Sequence, residues 1–304
     1  MASHAPPGED AIDRRSLEAT SGARGIGSWL PFLGGVALYL AFLAGGWLML
    51  RAGLVEMDPC FSDDVGDLCY CERFRSGLIK QPANTWSNLA FAVVGFGVLA
   101  DLAISPRRED NRMRRERFYT AWYGLLALYL GPGSMVFHAS YTWWAGILDG
   151  VAMYVWLSFV LVYNLVRLFE VSRLVAFSLW AAINVSWFAL RVTLPNEGSA
   201  VSTSTLLFVT LLCVMLASNV AVLLRGRERV ALSSHGWLGA SLLCFGCGMA
   251  VWLQSGTGQP LCKPESLWQG HAAWHLCAAL AVGALYLYLR HSADAPGRGV
   301  RRNA

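Results

Sequence analysis

The sequence predicts an all-α polytopic membrane helix bundle. Only 14% of its 304 residues are charged while 55% are hydrophobic, whereas soluble domains carry about 25% charged residues. The mean hydropathy is +0.43. Apolar stretches of about 20 residues, the length needed to cross a bilayer, recur eight times, at roughly 29–50, 83–104, 118–138, 145–167, 174–194, 202–224, 235–254 and 268–290.

The elements divide the chain into consecutive parts. Residues 1–27 are polar and rich in Gly, Ala and Ser, which predicts a disordered N-terminus. The first apolar segment, 28–50, is too long and too far from Met1 for a signal peptide, and no small-residue cleavage site follows it. Residues 51–82 form an acidic, cysteine-bearing loop, 83–290 hold the remaining seven spans, and 291–304 read as a second disordered tail. Eight spans put both termini on one side. That side carries 18 of the 24 Lys and Arg, with the densest run in PRREDNRMRRER at 106–117. The positive-inside rule makes it the cytoplasm. The basic residues are spread over several loops, so no nucleic-acid partner is expected. The arginine-rich, lysine-poor composition points to a bacterial inner membrane facing the periplasm, or to an ER- or Golgi-type membrane if the chain is eukaryotic. The oligomeric state is not legible.

This orientation brings three histidines to one depth. His138 ends the third span, and His271 and His275 open the eighth, all at the outer side. Residues at i and i+4 share a helix face, so His271, His275 and a third imidazole could supply three nitrogens to a tetrahedral Zn2+ with one position open. Haem is the competitor, but it needs ligands on opposite faces of one ring. Ser134 lies one turn from His138 on the same face, beside GPG at 131–133, which predicts a kink. Asp149 falls at the same depth and needs a partner inside a span, either as acceptor for a ligand histidine or as a base. His4, His235 and His291 are predicted at the cytoplasmic side or in the termini.

The outer side also holds Cys60, Cys69, Cys71 and Cys262, an even number that suits disulfides in an oxidising compartment. Three pairings are open. Cys213, Cys244, Cys247 and Cys277 lie in spans and read as small apolar residues. Asp58, Asp63, Asp64, Asp67 and Glu72 are either a solvated acidic surface or calcium ligands. Asn84, Ser87 and Asn88 share a face at the outer end of the second span, for bonds between helices or to a lipid headgroup. Trp143 and Trp144 are placed in the short turn that follows the third span.

CYCE at 69–72, NTWSNL at 84–89, GSMVFH at 133–138 with Asp149 following, and QGHAAWH at 269–275 together resemble the alkaline ceramidase family. This family belongs to a superfamily of seven-helix membrane hydrolases that includes the progestin and adiponectin receptor-like proteins. The resemblance covers about residues 69–290, so it implies a seven-helix hydrolase core plus one extra N-terminal transmembrane helix. It implies zinc on His138, His271 and His275, an oxyanion role for Ser134, and activation of water by Asp149. It implies a disulfide between Cys71 and Cys262, leaving Cys60 with Cys69. The family's calcium site is incomplete here: of its acidic ligands only Glu72 aligns, and Gln81 stands where a Glu would help. The implied activity is zinc-dependent hydrolysis of a ceramide-like membrane lipid to a sphingoid base and a fatty acid. The alternatives are a membrane lipid esterase or remodelling hydrolase and a metal-stabilised receptor or scaffold without turnover.

Overall fold

A computed structural model describes residues 26–53, 70–193, 203–225, 228–229 and 232–294. The predicted N-terminal disorder, Cys60, Cys69, and the acidic residues Asp58, Asp63, Asp64 and Asp67 lie outside the described residues. The helices are α1 (Leu30–Arg51), α2 (Pro82–Ser87), α3 (Leu89–Ile104), α4 (Arg112–Arg115), α5 (Arg117–Ser140), α6 (Trp143–Phe169), α7 (Arg173–Thr193), α8 (Thr203–Leu224), α9 (Leu232–Gln254) and α10 (Gly270–His291). The second predicted span is α2 and α3 in succession, broken at Asn88. β1 (Glu228–Arg229) and β2 (Ala293–Asp294) form a two-residue antiparallel ladder, so order continues past the predicted start of the C-terminal tail. His291 is the last residue of α10 rather than part of that tail.

Seven of the described spans are long and apolar enough to cross a membrane, and the chain is an integral multi-pass membrane protein. The eighth long helix, α5, has 24 residues, about 36 Å at 1.5 Å per residue. It is less apolar than the rest because it does not face lipid: 17 of its residues are buried, tyrosines, glycines, Pro132 and His138 among them. α5 packs against α3 on one side and α6 on the other, while α10 crosses α3 and α2. α7 and α8 cover α6, α9 lies along α10, and α1 sits against α3 and α5. Within the apolar windows of α1, α7, α8 and α9 only 11% of residues are buried, against 61% in α6. Their exposed leucines and valines form the lipid-facing surface that a bilayer protein requires.

Two glycines bring α5 close to its neighbours. A Cβ on Gly131 would lie 2.9 Å from the Asn88 carbonyl oxygen, and one on Gly133 would lie 2.9 Å from the Ala152 Cβ. The helix is continuous through Pro132, so the GPG segment acts as a point of close approach on two faces. α5 ends at Tyr141, which adopts a left-handed backbone with φ 58°. Thr142 then caps α6, its Oγ1 accepting the Ala145 N–H at 3.3 Å. Trp143 and Trp144 therefore begin α6, and the connection is only two residues long.

Candidate metal centre

The close approaches of α5 and the start of α10 bring three imidazoles together. His138, His271 and His275 are all buried, and one nitrogen from each lies within 4.8 Å of the others. The Nε2 atoms of His138 and His271 are 3.1 Å apart. Bonds of about 2.0–2.1 Å to a tetrahedral ion imply nitrogens roughly 3.3 Å apart, so the spacing suits one small cation. It is too short for ligands on opposite faces of a haem iron.

The hydrogen-bond pattern orients two of the rings. The Gln81 side chain donates from Nε2 to the Glu72 carbonyl at 2.9 Å, which turns its Oε1 toward His138. His138 Nδ1 donates to that oxygen at 2.9 Å. Ser87 Oγ donates to the Asn84 carbonyl at 3.0 Å, so its lone pair accepts the N–H of His275 Nδ1 at 2.8 Å. Both rings then carry their proton on Nδ1 and leave Nε2 bare, the state a metal ligand needs. His271 Nδ1 is buried with no hydrogen-bond partner among the described residues. A neutral, three-nitrogen donor set with these orientations fits a borderline-soft divalent cation.

Gln81 and Ser87 were not predicted as histidine partners. They come from the loop before α2 and from α2 itself, and their roles need the juxtaposition of α2 with α5 and α10. Asp149 was one candidate for such an acceptor, but among the described residues the imidazoles bond to Gln81, Ser87, the Asn84 backbone and one another. The Asp149 carboxylate instead interacts with the Ser134 hydroxyl, which does not reach hydrogen-bond geometry with any described group. Asn84 and Asn88 are fully buried between helices. Asn84 Nδ2 donates to Gln81 Oε1 at 3.3 Å and Asn88 Nδ2 to the Asn84 carbonyl at 2.8 Å.

Tyr70 roofs the centre. Its ring lies 4.3 Å from that of His271 and 5.3 Å from that of His138, centroid to centroid. Tyr70 and Cys71 both have left-handed backbones, with φ 51° and 67°. A disulfide from Cys71 to Cys262 ties this segment to the loop before α10. The backbone N–H of Lys80 and of Gln81 donate to the carbonyls of Ala139 and His138 at 3.0 and 3.1 Å, securing the other end of the segment to α5. A cavity of about 320 Å³ bounded by Tyr70, His271, Trp252, Ser255 and Thr257 opens beside the histidines.

Glu72 has a structural use. Its two carboxylate oxygens accept the N–H groups of Ala83 and Asn84, each at 2.8 Å, at the start of α2. This satisfies donors that a helix N-terminus leaves free. Burial pushes its carboxyl above the ordinary range, while the two backbone N–H groups and Arg75 pull it back.

No curated protein matches the chain. The family model described as Ceramidase matches residues 67–296, about three quarters of the length. The matched region contains all three histidines, Ser134, Asp149, the Cys71–Cys262 bond and every helix except α1, and the chain belongs to the ceramidase family.

Proposed function

We propose that this protein is a zinc-dependent hydrolase of a ceramide-like membrane lipid, with its site in the outer leaflet. The observation that carries the reading is the buried cluster of three histidines, with two rings turned to present Nε2 inward, in a chain of the ceramidase family. His138, His271 and His275 would hold the metal, which when bound supplies Lewis acidity toward a carbonyl oxygen and acidifies water.

The remaining work falls to side chains of α5 and α6. Asp149 accepts a proton from the attacking water as its oxygen adds to the amide carbon. Ser134 donates its hydroxyl to the carbonyl oxygen as negative charge develops there. When the C–N bond breaks, Asp149 returns the proton to the leaving nitrogen, giving a fatty acid and a free amine. Tyr70 and the rings around it limit access of bulk water. The outer-leaflet placement is supported by the distance along α5 between the basic loop at its start and His138 near its end.

The test is hydrolysis by purified protein loaded with Zn2+, assayed on a long-chain ceramide and on a matched ester. Ser134→Ala and Asp149→Asn should retain the metal and lose about 10²–10³-fold or more in rate. Preferential cleavage of the ester would redirect the reading to a lipid esterase. Absence of cleavage of either lipid by metal-loaded wild type would favour a receptor or scaffold.

A further inference from the structure

α1 lies outside the region that the family model matches, which begins at residue 67. It nevertheless packs against α5, the helix that carries Ser134 and His138. Its inward stripe is Tyr39, Phe42 and Gly46, spaced i, i+3 and i+7 so that they share one helix face. We propose that α1 positions the pair Ser134 and Asp149, acting through Tyr129 of α5, whose ring Phe42 holds against the turn of α6 that carries Asp149. Asp149 enters here as the base of the hydrolase reading above, on which this inference rests.

α5 meets α1 on one side and α6 on another. Toward α1, the Tyr39 hydroxyl donates to the Met135 sulfur at 3.6 Å, and a Cβ on Gly46 would lie 3.1 Å from Val136 Cγ2. The Phe42 and Tyr129 rings meet edge to face, with centroids 6.0 Å apart and planes at 77°. Met135 and Val136 directly follow Ser134, so α1 grips α5 beside the proposed oxyanion donor. Toward α6, Tyr129 and Gly133 are four residues apart and share a face. Both reach the Leu148 carbonyl: the Tyr129 hydroxyl donates to it at 3.5 Å, and a Cβ on Gly133 would lie 3.1 Å from its oxygen. Leu148 is next in the chain to Asp149. The charge of the Asp149 carboxylate acts on Tyr129, and the carboxylate also interacts with the Ser134 hydroxyl. Two hydroxyls of α5 therefore flank the base.

Aromatic pairs prefer the edge-to-face arrangement, so the Phe42 contact favours the orientation in which the Tyr129 hydroxyl points at Leu148. Phe42 is itself carried on a fixed support. Gly35 brings α1 close to α3, where a Cβ would lie 2.8 Å from Leu99 Cδ1, and the Tyr39 ring packs on Phe96 with centroids 5.6 Å apart. At 3.5 Å the hydroxyl bond is long, and its contribution is orientation rather than strength. It limits rocking of the second turn of α6, and with it the travel of the Asp149 carboxylate relative to Ser134. A misplacement of about 1 Å at a reacting group can cost up to about 10²-fold in rate.

The test measures kcat and KM of the full chain loaded with Zn2+ on a long-chain ceramide. It also records the infrared carboxyl band of Asp149, identified as the difference between wild type and Asp149→Asn. Tyr129→Phe keeps the ring and removes the hydroxyl. It should lower kcat about threefold to tenfold, leave KM within about twofold, and shift the Asp149 band. Phe42→Ala should act in the same direction. Phe42→Tyr, which keeps the ring, should restore both readouts, and Leu38→Ala, on the exposed face of α1, should alter neither. Unaltered kcat or an unmoved band in Tyr129→Phe would overturn the proposal, as would a change confined to KM or to the melting temperature. Wild-type behaviour of Phe42→Ala in both readouts would overturn the part given to α1. If metal-loaded wild type cleaves no ceramide, the hydrolase reading falls by that result alone, and the infrared band still decides whether Tyr129 and Phe42 position Asp149.

Discussion

Replacing Ser87 with alanine removes a single oxygen that helps to orient a proposed metal ligand. The Ser87 hydroxyl has one hydrogen, directed to the Asn84 carbonyl at 3.0 Å, and accepts the His275 Nδ1–H at 2.8 Å. Without that acceptor the His275 ring keeps only the Asn84 backbone beside it, so it turns more readily and can carry its proton on Nε2, the atom facing the other histidines. Loss of such an outer hydrogen bond typically lowers metal affinity 10–100-fold, or about 1.4–2.8 kcal/mol at 1.4 kcal/mol per tenfold. The bond also contributes about 0.5–1.5 kcal/mol to folding, which thermal melts of the metal-free protein would report separately. Zinc affinity should be measured by chelator competition in detergent, with metal quantified by mass spectrometry. Ser87→Ala should bind 10–100-fold more weakly, and Ser87→Thr, which keeps the hydroxyl, should restore most of the loss. Affinity within twofold of wild type in Ser87→Ala, alongside clear loss in His275→Ala, would refute the orientation argument.

Three other perturbations test the architecture. Cys71→Ser opens a covalent loop spanning 191 residues; the chain-entropy model gives about 5 kcal/mol for a freely unfolding chain, and helices retained in the bilayer should reduce that, so non-reducing melts should show a destabilisation of smaller size. Glu72→Gln places an N–H donor beside the Ala83 and Asn84 N–H groups and should destabilise the protein by about 1–3 kcal/mol, detectable by urea titration in mild detergent. Gly133→Ala puts a methyl against Ala152 and Leu148 and should cost about 1–3 kcal/mol by overpacking, with a drop in melting temperature that Gly97→Ala, in open space, does not share.

The sequence exposed the periodic and electrostatic parts of this protein more clearly than its lateral contacts. Each long helix lies close to an apolar segment visible in the chain, and the basic asymmetry placed His138 at the same end as His271 and His275 without reference to chemistry. Ser87 was visible as one of three polar residues on a helix face, but its partner is 188 residues away on α10. Nothing in linear spacing distinguishes that bond from a lipid contact. Gln81 was noticed only as a substitution for a Glu, whereas its amide bridges His138 and the Glu72 carbonyl. Tyr70 was visible only as part of the CYCE motif and gave no sign of its role, since its position over the histidines depends on two consecutive left-handed residues and a disulfide. Glu72 allowed two readings, and the hydrogen bonds to Ala83 and Asn84 account for it without a cation.

The polar atoms of α5 suggest why its composition departs from that of an ordinary span. In hydrocarbon each buried donor and acceptor needs a partner. Tyr123 donates to the Val282 carbonyl at 2.6 Å, and Thr120 to the Met113 carbonyl at 2.5 Å. Ser134, one turn from His138, lacks such geometry with any described group, as do the side-chain oxygens of Asn84 and Asn88 on the neighbouring segment and Nδ1 of His271. These atoms belong to the elements that surround the histidine cluster. A site with buried polar groups left to pair with its ligand discriminates against ligands that cannot pair with them. For the proposed amide lipid, with a carbonyl, an N–H and hydroxyls near the scissile bond, that arrangement would favour the polar head over a plain acyl chain. α5 can carry these groups because its other faces are covered by protein, which is also why it is less apolar than the other long spans.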